Sequence, residues 1–142
     1  MNQNSKLIYE LYDKIEKENI ILMETDAING KAVTIKDENT KDYGVFYENN
    51  FSDTNEEFCV LAHEYGHCKS DSTHKMCGKF QLIEQHENRA NRAAVHEFLP
   101  IEKLIDAFKR EHFEYWELAE YLDMPEPFII MAIEIYRIEE KI

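Results

Sequence analysis

Leu7, Ile8, Leu11, Tyr12 and Ile15, separated by acids and lysines, repeat at the spacing of one helical face, and predict an amphipathic helix over residues 5–17. Three short apolar runs follow: Ile20-Ile21-Leu22-Met23, Ala32-Val33-Thr34-Ile35 and Tyr43-Gly44-Val45-Phe46-Tyr47. Asn29-Gly30 and the polar residues 37–42 divide them, so they read as three short strands in a small antiparallel sheet. Past residue 52 the pattern turns helical. Asp53 or Thr54 is placed to cap free amides, Glu56 and Glu57 suit the first turn, and the helix should run to about residue 69. A polar stretch over 70–79 precedes a second long helix, 80–98, which ends at Pro100. Residues 101–142 predict three more helices, broken near Glu111-His112 and at Met124-Pro125-Glu126-Pro127. The expected fold class is α+β and mostly helical.

With 142 residues, 44% of them hydrophobic, only four glycines and three prolines, and no repeat or low-complexity tract, residues 1–142 are expected to form a single domain. Its parts are an N-terminal helix and sheet (about 1–50), two central helices (53–98) and a C-terminal helical stretch (101–142). Sixteen basic against 29 acidic residues give a formal charge of −13, which repels phosphate backbones and anionic lipid alike. Neither direct nucleic-acid binding nor membrane association is expected. No apolar run approaches the ~20 residues of a membrane span, and MNQNSKLIYE lacks the character of a signal peptide, so a cytoplasmic location is expected. Cys59, Cys68 and Cys77 cannot all pair with one another and are read as reduced thiols.

The chemistry concentrates in His63-Glu64-Tyr65-Gly66-His67, a match to HExxH. Four helical residues rise ~6 Å and overshoot a full turn by ~40°, so His63 and His67 share a stripe and can meet one Zn²⁺. Glu64 would flank the open position as a base for water, while Phe58, Leu61, Ala62 and Tyr65 form the opposite, core-facing stripe. A catalytic zinc usually takes three protein ligands. The helix over 80–98 offers the third: Glu87, Ala90, Asn91, Ala94 and Phe98 share a face, and its small residues permit a close approach to the HExxH helix. Asn91 is placed to hydrogen-bond Glu87 or a ligand imidazole.

HEYGH, followed 20 residues after its second histidine by Glu87-Asn88-Arg89-Ala90-Asn91, resembles the HExxH…ExxAN signature of the ImmA/IrrE family of metallo-endopeptidases. The likeness extends to the Gly44-Val45-Phe46-Tyr47 strand and to the C-terminal helices. Ala93 and Tyr65 depart from residues common at those places, and neither is a proposed ligand. The resemblance implies a minimal zincin-like fold, one Zn²⁺ per chain held by His63, His67 and Glu87, and Glu64 as catalytic base. It further implies the short, phage or mobile-element type, whose client is the element's own helix-turn-helix repressor, with an activating partner protein in some settings.

Candidate donors for the oxyanion or for substrate contacts are Tyr47, His74, His86 and Arg89, and sequence does not choose among them. The strand over 43–47 is read as an edge on which an extended substrate pairs. Two other functions compete. Residues 118–136 resemble helix-turn-helix, but residues 101–142 carry eleven acids against five bases, a net of −6, which disfavours a DNA-binding module. A non-proteolytic metal-binding or regulatory protein is the other alternative, and it would need no base beside the metal. Cys59, one turn before His63, is read as packing, Cys68 and Cys77 as bystanders, and His96 and His112 as solvent-facing or hydrogen-bonded.

Overall fold

The computed structural model describes residues 5–26, 30–72 and 80–142. Among these the chain forms α1 (Ser5–Lys17), β1 (Ile21–Glu24), β2 (Ala32–Lys36), β3 (Tyr43–Tyr47), α2 (Thr54–Ser70), α3 (Phe80–Phe98), α4 (Ile101–Lys109), α5 (Tyr115–Leu122) and α6 (Glu126–Ile138). The fold is α+β and mostly helical, as the patterning requires.

The core gathers on α2. Phe58, Leu61, Ala62 and Tyr65, the apolar stripe of that helix, are all buried. Phe58 sits edge-on to Phe98 of α3 at 5.3 Å and to Phe128 of α6 at 5.2 Å, so one ring ties three helices. Leu7, Ile8, Leu11 and Ile15 of α1 enter the same core, and Lys14 pairs with Glu97 of α3 at 2.9 Å across it. From α6 the core takes Ile129, Ala132, Ile133 and Tyr136, whose hydroxyl donates to the Leu99 carbonyl at 2.8 Å. Among the described residues no helix is long and apolar enough to cross a membrane.

The sheet differs from the antiparallel expectation in one pairing. β2 and β3 are antiparallel, Thr34 opposite Val45, but β1 joins β3 in parallel, Leu22 beside Val45, and the strand order is β1-β3-β2. β3 is therefore central and hydrogen-bonded on both sides. It cannot offer the substrate edge expected of residues 43–47; the edges are β1 and β2. Strands of four or five residues carry too little alternation to fix which neighbours which.

The two ends of α2 are closed differently, the first by a side chain and the second by a backbone turn. Asp53 caps the start, accepting from the Glu56 amide at 2.8 Å. At the other end Asp71 adopts the left-handed conformation (φ 51°), turning the chain so that the Ser72 amide donates to the His67 carbonyl at 3.0 Å. Lys36 of β2, at 2.8 Å, and Tyr43 of β3 both donate to the Asp71 carboxylate and pin this turn to the sheet. They hold that carboxyl below its usual range, Lys36 contributing more than Tyr43.

Candidate metal centre

His63 and His67 emerge from one stripe of α2 and meet Glu87 from α3. Their Nε2 atoms lie 3.1 Å apart, and Glu87 reaches His63 Nε2 with Oε2 at 2.5 Å and His67 Nε2 with Oε1 at 3.2 Å. Among the described residues this is the one cluster of three or more His, Cys, Asp or Glu side chains able to share an ion, its donor atoms all within 4.8 Å of each other.

The other ring nitrogens decide the chemistry of the donors. His63 Nδ1 lies 2.7 Å from Asn91 Oδ1, and His67 Nδ1 lies 2.8 Å from the Ser72 carbonyl oxygen. An amide or backbone carbonyl oxygen only accepts, so each Nδ1 is engaged as an N–H donor, and Nε2, which faces Glu87, is the ring nitrogen left to bind a metal in place of a proton. Bonds of ~2.0–2.1 Å to a tetrahedral zinc place two ligand atoms roughly 3.3 Å apart, close to the 3.1 Å between the two Nε2 atoms and the 3.2 Å from His67 to Glu87, with Glu87 nearer to His63 at 2.5 Å. Two neutral imidazoles and one carboxylate suit zinc, and the residues present fit the group.

Close packing of α2 on α3 makes the convergence possible. A Cβ placed on Gly66 would stand 2.0 Å from the backbone oxygen of Ala90, so the helices touch backbone to backbone between the two histidines and Glu87. Ala90 and Ala94 are fully buried at this contact.

Glu64 is buried, 7% exposed, and lines a cavity of about 450 Å³ together with His63. The Thr34 hydroxyl of β2 lies 3.1 Å from its Oε2 and 3.3 Å from its backbone oxygen, and fixes the carboxylate from the sheet side. β2 inverts the usual alternation to do this, burying Thr34 while Val33 and Ile35 face out.

The remaining sequence candidates are placed unevenly. Tyr47 stacks on Phe51 at 6.1 Å between centroids and is not part of the cavity wall. Arg89 is exposed and His86 half-buried on α3, and neither lines that cavity. His74 and Cys77 lie outside the described residues. Cys59 lines the cavity without joining the donor cluster, and its thiol is pushed up to about 11, chiefly by burial and then by Asp53. Thr34, Ser72 and the role of Gly66 escaped sequence reasoning. The Thr34 signal was a polar residue in the middle of an apolar run, whereas Ser72 acts through its backbone and leaves no side-chain pattern.

The IrrE N-terminal-like domain model, Peptidase_M78, matches residues 15–134, most of the chain. The chain belongs to this family. The match spans both ligand helices, the sheet and most of α6, so the IrrE-like peptidase domain includes every element that shapes the metal centre. No curated protein and no solved structure matches the chain.

Proposed function

We propose that this IrrE-type chain is a zinc-dependent endopeptidase in which His63, His67 and Glu87 hold the metal and Glu64 is the general base. The observation that carries the reading is the convergence of two Nε2 atoms and a carboxylate beside a buried glutamate lining the same cavity. When bound, zinc supplies Lewis-acid polarisation of a peptide carbonyl and acidification of water. Glu64, oriented by Thr34, accepts a proton from the attacking water and returns it to the leaving nitrogen as the C–N bond breaks. Asn91 and Ser72 keep both imidazoles in the tautomer that presents Nε2.

The substrate in this reading is the helix-turn-helix repressor of a phage or mobile element, in the cytoplasm, with an activating partner where one is needed. Charge supports a basic protein client: a formal −13 favours encounter with DNA-binding proteins and disfavours DNA itself. α6 supports the peptidase reading over a DNA-binding module, because it buries Phe128, Ile129, Ala132, Ile133 and Tyr136 instead of presenting a basic face. The test pairs wild type with Glu64→Gln. Both should bind zinc, and only the wild type should cut the repressor encoded beside its gene. Equal proteolysis by Glu64→Gln removes Glu64 from the mechanism, and an intact repressor with zinc and activator present removes the substrate assignment.

A further inference from the structure

The cavity beside His63 and Glu64 is lined mainly by residues outside the donor cluster. Its far wall is apolar, formed by Val60 of α2 with Pro127, Phe128 and Met131 of α6. A second cavity, about 300 Å³, continues between α3 and α6 past Arg92, Glu134 and Ile138. The two share Asn91 and Met131. Asn91 is committed to His63, so Met131 is the adjustable partition, a half-buried, flexible thioether between two spaces. Lys31 also lines the first cavity, but its ammonium is engaged by Glu56 at 3.1 Å and by Asn50 at 3.3 Å. Its charge is compensated at the rim, and the wall of Val60, Pro127, Phe128 and Met131 offers burial to an apolar group.

We propose that this cavity receives the apolar side chain of the substrate residue adjoining the cleaved bond, and that Met131 sets the largest side chain admitted. The inference rests on the peptidase reading and narrows its substrate class to segments with a leucine-, methionine- or phenylalanine-sized residue at that position. Truncating Met131 joins the two cavities and should admit tyrosine and tryptophan. In apolar pockets a change of one methylene shifts selectivity by about 10- to 200-fold, so an effect of at least tenfold is expected.

Two measurements test it. The full chain, supplied with zinc and carrying ¹³C-labelled methionine methyls, is titrated with N-acetyl-leucinamide, N-acetyl-phenylalaninamide and N-acetyl-glycinamide. The Met131 resonance is assigned through Met131→Leu. It should shift saturably with the two apolar probes and not with the glycine compound; no shift with either apolar probe overturns the pocket whether or not the protein cleaves anything. In parallel, cut sites in a random peptide pool are mapped by mass spectrometry for wild type, Met131→Leu and Met131→Ala. Wild type and Met131→Leu should share a preference for medium apolar residues on one side of the bond, and Met131→Ala should move toward tyrosine and tryptophan by at least tenfold. Unchanged preference in an active Met131→Ala overturns the role of Met131. If no form cuts any peptide with zinc and the activating partner present while the methyl shift saturates, the peptidase reading fails and the apolar side-chain site stands. Should Met131→Ala not fold, the methyl titration decides alone.

Discussion

Gly66→Ala should separate the two ligand helices. The added methyl would begin 2.0 Å from the Ala90 oxygen and 2.8 Å from its carbonyl carbon, both backbone atoms that no rotamer change removes. A carbon–oxygen contact relaxes at about 3.3 Å, so α3 must retreat by roughly 1.3 Å from the present 2.0 Å. Metal–ligand bonds tolerate about ±0.2 Å, and Glu87 lies only one turn from Ala90, so its carboxylate should leave the donor cluster. Helix propensity alone would favour alanine by ~0.8–1 kcal/mol, while overpacking a core costs ~1–3 kcal/mol. Because the obstacle is main chain, the clash should win, with a net loss of up to about 2 kcal/mol and a drop in Tm of up to roughly 7 °C. Competition with a chromogenic zinc chelator should report at least about tenfold weaker binding, and Ala90→Gly should not rescue it, because the backbone oxygen remains. An unchanged Tm with zinc affinity within twofold of wild type would refute the close-packing argument.

Asn91→Ala should weaken zinc binding by about 10- to 100-fold with the circular dichroism spectrum retained, whereas Asn91→Asp, which keeps an acceptor for His63, should lose far less; equal losses would mean the amide acts otherwise. Around Glu97, burial works to raise the carboxyl, but Lys14 at 2.9 Å, with Lys69 and Tyr65, outweighs it and holds the group below its ordinary range. A depressed carboxyl stabilises the fold above the unfolded pKa of about 4.3 and loses that contribution as pH falls through its folded value. The Tm gap between wild type and Lys14→Met, seen at pH 7, should therefore narrow as pH falls below about 4.3 in thermal melts. Cys59, raised by burial to about 11, should be alkylated by iodoacetamide far more slowly at pH 8 than in the unfolded chain, as judged by peptide mapping.

The helices were legible because each has a one-sided apolar stripe: residues 5–17 and 80–98 emerge with the bounds their spacing implies, and Asp53 caps α2 as its side chain suggests. The donor cluster was legible because HExxH and the Glu87–Asn91 turn are local patterns on those helices. Sheet order was not, since the parallel β1–β3 pair depends on how α1 and the chain after it return to the core. The Ser72 carbonyl, the inward-facing Thr34 and the backbone contact at Gly66 depend on elements far apart in sequence, and no spacing within one segment reports them.

Metal analysis of the purified chain beside its Glu87→Ala variant bears most directly on the proposed centre. One zinc per wild-type chain is expected, with zinc bound at least tenfold more weakly by Glu87→Ala while its melting behaviour without metal matches wild type. Equal zinc content and affinity in the two proteins would contradict the assignment of His63, His67 and Glu87 to one ion.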